Sequence, residues 1–149
     1  MKVAFVPVDA EAVGAVASAM RAEDVRCCAI EGLSPREGLE RSVRDSDFCM
    51  ALKLDGEYAM VFGGVLPRLG GSGMAWALGT EACRRHPRLM VEGGRRAAGI
   101  FLSIWPSWAN AVPSTDRQAL KWLAMIGFHI DPVPFKDRGF EFWKITLEG

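Results

Sequence analysis

Thr115-Asp116-Arg117-Gln118-Ala119-Leu120-Lys121-Trp122-Leu123-Ala124-Met125-Ile126-Gly127-Phe128 decides how this chain is read. Ala119, Trp122, Leu123 and Ile126 recur at helical spacing and form one apolar stripe. Thr115 or Asp116 offers a side-chain oxygen to cap the first turn. Gly127 suits the left-handed residue after the last turn, and Phe128 can fold back onto that turn as in a Schellman motif. A short strand ending in a polar residue precedes the helix, and Gly127-Phe128 opens another strand after it.

Similar start and stop signals recur towards the N-terminus. Residues 3–8 are β-branched and aromatic, which predicts a first strand. Asp9 caps a helix to about Met20, with Glu11 in its first turn. Ser34-Pro35-Arg36-Glu37 is a capping box with proline at the first helical position, and its helix runs to about Arg44. Phe48–Leu54 and residues 57–66 pair as a hairpin across Asp55-Gly56. Gly63-Gly64 marks a bulge or a close approach. A glycine-rich loop then leads to a strand at residues 74–78, a turn, and a long helix over Pro87–Ile104. Gly93 and Gly94 weaken that helix by up to ~1 kcal/mol each relative to alanine. Residues 110–112 form a short strand before the quoted helix. Residues 128–133 and 140–146 close the chain as strands around a polar turn at residues 136–139. This order predicts one α/β (α+β) domain over residues 1–149, a mixed sheet flanked by about four helices.

Of the 149 residues, 50% are hydrophobic and 24% charged, the balance of a globular chain. Eighteen basic residues match eighteen acidic ones. That neutrality argues against nucleic acid or an anionic membrane as partner, and it weakens self-repulsion enough to allow a homodimer. Cys27, Cys28, Cys49 and Cys83 form no CxxC or Cys/His cluster, so we expect reduced thiols in a cytoplasm and no metal site. The N-terminal apolar run is too short for a signal peptide. No stretch reaches the roughly 18 apolar residues of a membrane span.

The element order and the quoted stretch resemble the GNAT acetyltransferase superfamily, whose C-terminal half runs Asn or Ser, a few residues, Ala, an aromatic, then Gly-Phe. The phrases Gly73-Met74-Ala75-Trp76-Ala77-Leu78-Gly79-Thr80 and His86-Pro87-Arg88 are further similar to small GNAT-like proteins of tailed phages, including internal-core or assembly proteins. For a phage-encoded chain the cytoplasm would be the host's.

The superfamily resemblance implies acetyl-CoA in a V-shaped gap between the fourth and fifth strands, residues 74–80 and 110–112. Ala77, Leu78, Gly79, Thr80 and Asn110 would then meet the pantetheine arm. Arg85 and Arg88 would flank the pyrophosphate where the next helix begins, since free N–H groups and a partial positive charge gather there. Glu81 would serve as base, and Ser114, or else Ser107, would protonate the departing thiolate. The sequence departs from the family twice. The usual glycine-spaced phosphate loop is missing between Leu78 and Arg88. The aromatic slot of the last helix holds Trp122, which has no labile proton. Two readings follow: an acyl-CoA-dependent N-acetyltransferase acting on an amine, or a non-catalytic GNAT-fold phage protein binding a protein partner in virion assembly or host interaction. Trp105-Pro106-Ser107-Trp108 reads as an exposed loop suited to such a partner.

Overall fold

The computed structural model describes residues 2–149. The elements are β1 (Val3–Val6), α1 (Ala10–Ser18), α2 (Ala22–Ile30), α3 (Pro35–Asp45), β2 (Phe48–Leu54), β3 (Glu57–Val65), β4 (Gly73–Gly79), α4 (Ala82–Arg85), α5 (Pro87–Ile104), β5 (Ser107–Pro113), α6 (Arg117–Met125), β6 (His129–Ile130), β7 (Phe135–Asp137) and β8 (Phe140–Glu148). One sheet runs β1-β2-β3-β4-β5-β8-β6, with β7 added to β8. Every pairing is antiparallel except β4 with β5. That single parallel pair needs a crossover, which α5 supplies.

Local signals fix the ends of several elements. Ser34 and Glu37 bond each other's backbone N–H as a capping box. Asp55 (φ 48°) and Gly56 (φ 83°) make the β2–β3 hairpin turn. Asp116, not Thr115, caps α6 by accepting from Ala119 N–H. Gly127 (φ 111°) follows that helix, and Phe128 N–H donates to Leu123 O at 3.0 Å, the closing bond of a Schellman motif.

Two helices go beyond the four expected. α2 has no side-chain cap at Arg21, and α4 is only four residues long. Neither opens on a capping side chain, and Glu23 and Asp24 in the first turn of α2 are the one start signal it carries.

Two cores flank the sheet. One joins α5 and α6 to Leu52, Phe62, Ala75, Trp108 and Ile145. The other joins α1 and α3 to Ala51 and Val61. Trp108 corrects the expectation of an exposed tryptophan loop, because it is 0% exposed. A Cβ on Gly64 or Gly73 would come within 2.6 Å of its ring, so those glycines make its seat. Phe101 O and Trp105 O accept its indole N–H. Gly63 and Gly64 mark a close approach; the irregular step between β2 and β3 lies at Leu52/Lys53. Gly93 and Gly94 likewise trade helix propensity for packing. A Cβ on Gly94 would lie 2.7 Å from Trp122 and Ile126, and one on Gly93 3.2 Å from Leu52.

Candidate functional site

β4 and β5 pair only at Gly73↔Trp108 and Met74↔Ala109, then diverge. Asn110 marks the point of divergence. Its side-chain amide donates to Ala75 O at 2.5 Å, while its own Oδ1 accepts from Ala111 N–H at 2.7 Å. The side chain thus stands in for the next ladder rung and holds the strands at a fixed spread.

Past that point one edge of β4 faces the gap. Thr80 N–H bonds Ala59 O across β3, so by strand alternation Ala75, Ala77 and Gly79 turn their backbone groups away from β3. Asn110 takes Ala75 O. At Gly79 the N–H goes to Asp24 Oδ2 and the carbonyl accepts from Arg21 N–H, both at 2.8 Å. Ala77 is left with its N–H and C=O both free on that edge, among the described residues.

The gap opens into a cavity of about 930 Å³. α2 lines one side with Asp24, Cys27, Cys28 and Glu31, a single helical face. α5 and α6 line the other with Met90, Gly94 and Trp122, and Phe135 and Phe142 of the β7–β8 hairpin complete the wall. Trp122 gives its indole N–H to Met90 O at 2.8 Å. Trp122 is therefore occupied in holding α6 to α5.

A buried ionic cluster bridges the wide end of the gap. Arg21 contacts Asp24 at 3.2 Å and Asp116 at 2.7 Å. Burial raises the Asp24 carboxyl above its usual range, and Asp116 adds to the rise, against the pull of Arg21 and Gly79 N–H. Burial works against the Arg21 charge, but the two carboxylates hold its guanidinium above the ordinary value. Burial also pushes the Cys27 and Cys83 thiols up to about 11, so neither is a thiolate nucleophile at neutral pH.

The remaining sequence-named residues fall in several places. Leu78 alternates with Ala77 and bonds towards β3. Thr80 is buried, donates its hydroxyl to Tyr58 O and accepts from Ala82 N–H, so it shapes the turn. Glu81 lies 3.7 Å from Arg84 and lines a separate pocket of about 270 Å³ beyond Arg21, outside the main cavity. Arg85 and His86 both bind Glu57 on β3, at 2.7 and 2.6 Å. Arg85, then His86, holds the Glu57 carboxyl below its usual range. Arg88 is exposed and has no ion pair among the described residues. Ser114 has a buried Oγ with no hydrogen-bond partner.

The α4 amides are taken: Thr80 accepts from Ala82 N–H and Cys83 N–H, and Glu81 from Arg84 N–H. The helix start with open amides is therefore that of α5. His86 gives it no side-chain cap, Pro87 has no N–H, and Met90 N–H is the first to bond back, to His86 O. The Arg88 and Leu89 N–H groups are left without backbone acceptors. The sequence reading missed Arg21 and Asp24. Their i,i+3 spacing was visible, but without α2 there was no face on which to place them.

No protein-family model matches the sequence, and no curated protein matches it. Solved structures do match its shape. A GNAT-family acetyltransferase from Bacillus anthracis superposes with a TM-score of 0.72 at 8% identity, covering 99% of this chain and 95% of that one. Spermidine N-acetyltransferase from Vibrio cholerae, in complex with CoA and spermine, superposes at 0.71 and 8% identity over 98% and 95%. The ribosomal-protein-S18-alanine N-acetyltransferase from Escherichia coli superposes at 0.66 and 9% identity over 99% and 94%. The fold is that of the GNAT acetyltransferases. Among the described residues, no group of His, Cys, Asp and Glu could hold a metal ion, and no helix is long and apolar enough to cross a membrane.

Proposed function

We propose that the chain transfers an acyl group from acetyl-CoA to an amine. The free edge at Ala77 in the β4–β5 gap carries this reading. A pantetheine arm carries amides, and Ala77 offers one donor and one acceptor beside apolar walls. The two unpaired N–H groups at the start of α5, with Arg88 beside them, suit the diphosphate. Arg85 is committed to Glu57, so its share in that site is the smaller one.

When bound, the cofactor would supply an activated acyl thioester. Asp24 takes the place of Glu81 as proton acceptor, because it lines the cavity and burial holds its carboxyl in a more basic range. Its Oδ1 has only a long contact to Arg21, 3.3 Å. Ser114 has an unpartnered Oγ but does not line the cavity, so no proton donor to the thiolate is assigned in this scheme. Asn110 acts through the spread of the strands.

One observation favours the non-catalytic alternative, in which a GNAT-fold phage protein works through its surface. Arg21 and Asp24 already occupy the Gly79 edge, and Arg21 crosses the gap to Asp116. Isothermal titration with acetyl-CoA separates the two readings. Saturable binding at submillimolar concentration is expected; no heat at millimolar ligand overturns the acyl-transfer reading.

A further inference from the structure

Resting on the acyl-transfer reading, we infer that the acceptor is a monoamine on an apolar body about 10 Å long, and not a polyamine. Asp24, Cys27, Cys28 and Glu31 follow one face of α2 along the cavity. From Asp24 to Glu31 is seven residues, or about 10 Å of helix rise. Asp24 ends this path beside β4. At the other end Glu31 meets Arg138 of the β7–β8 turn at 3.2 Å. There Phe135 and Phe142 stack with ring centroids 5.8 Å apart, and both rings line the cavity.

The charge count sets the class. Five carboxylates (Asp24, Glu31, Asp45, Asp116, Asp137) and four cations (Arg21, Arg41, Lys121, Arg138) line the cavity. With Arg44, which meets Asp45 at 3.6 Å, five cations face the five carboxylates, so the wall has no negative charge to spare. Each carboxylate already has an arginine. Asp24 and Asp116 share Arg21, Glu31 and Asp137 share Arg138, and Asp45 has Arg41 and Arg44. An added ammonium finds no free anion and is desolvated without compensation, a cost that a polyamine bears two or three times and a monoamine, giving its proton to Asp24, does not repeat. The paired phenylalanines instead offer an aromatic face to an apolar tail.

The test is calorimetric titration with 4-phenylbutylamine and with spermidine, without cofactor, followed by acetyl transfer to each. The aryl amine is expected to bind about tenfold or more tighter. Phe135→Ala and Phe142→Ala should each weaken it roughly two- to tenfold. Phe135 is 42% exposed, so its replacement tests binding with little risk to folding. Equal or tighter spermidine binding, or unchanged affinity in both variants, overturns the inference. Acetylation of spermidine in preference to the aryl amine would overturn it while leaving acyl transfer standing. Failure to bind acetyl-CoA at all removes both.

Discussion

Gly79 N–H donates to the Asp24 carboxylate across 2.8 Å, which ties the first turn of α2 to the last residue of β4. Arg21 reinforces the tie from both directions, by its backbone to Gly79 O and by its guanidinium to Asp24 and Asp116. Three segments drawn from a span of 95 residues of chain thus meet at the end of the gap. The meeting places a carboxylate with a raised pKa on the cavity wall.

That raised pKa has a stability consequence of definite sign. The folded state holds the Asp24 proton above the ordinary value of 3.8, so it binds more protons than the unfolded chain just above that pH. Stability from this group is complete below about 3.8 and is lost as pH rises through the raised folded value. Asp24→Asn removes the dependence. Melting temperatures of both proteins from pH 3 to 8 should show the wild type losing ground to the variant as pH rises. A constant difference across the series would rule out the shift.

The glycines of α5 give a paired test. At Gly99 a Cβ meets nothing within 4 Å, so Gly99→Ala should stabilise by about 0.5–1 kcal/mol through helix propensity. At Gly94 the same Cβ lies 2.7 Å from Trp122 and Ile126, so Gly94→Ala should cost about 1–3 kcal/mol despite that gain. Urea unfolding of the two variants should move in opposite directions. Equal effects would show that α6 does not pack against Gly94.

These contrasts show what the sequence carries. Ser34 with Glu37, Asp55-Gly56, and Asp116 with Gly127-Phe128 are legible because each signal and its partner lie within a few residues. The spread of the gap is not legible in that way, because it depends on Asn110 reaching Ala75 across 35 residues. Arg85 sits near a helix start in sequence, yet Glu57, 28 residues earlier, claims it. Asp24 was invisible because α2 begins at an arginine with no cap. Composition marks a tryptophan but not its burial, which at Trp108 rests on Gly64 and Gly73.

Trp108 therefore calls for a prediction opposite to a surface role. Its ring is fully buried and packs edge-on against Phe101 and Phe48. Trp108→Ala should destabilise by about 3–5 kcal/mol. Denaturant unfolding measures this directly. A loss under 1 kcal/mol would return the residue to the surface.

The arginines beside α5 test where the cofactor's diphosphate would lie. Arg88 is exposed, free of ion pairs among the described residues, and carries one of the two unpaired N–H groups of that helix start. Arg85 is 56% exposed in its side chain but bonded to Glu57 at 2.7 Å. Arg88→Ala should weaken acetyl-CoA binding about three- to tenfold, roughly 1 kcal/mol for an exposed charge contact. Arg85→Ala should change it less than twofold. High salt should shrink the Arg88 effect, because an exposed contact to phosphate is screened. Titration calorimetry at low and high ionic strength supplies all three comparisons. If Arg85→Ala has the larger effect, Glu57 yields its arginine to the ligand, and the anion sits nearer β3 than the α5 amides place it.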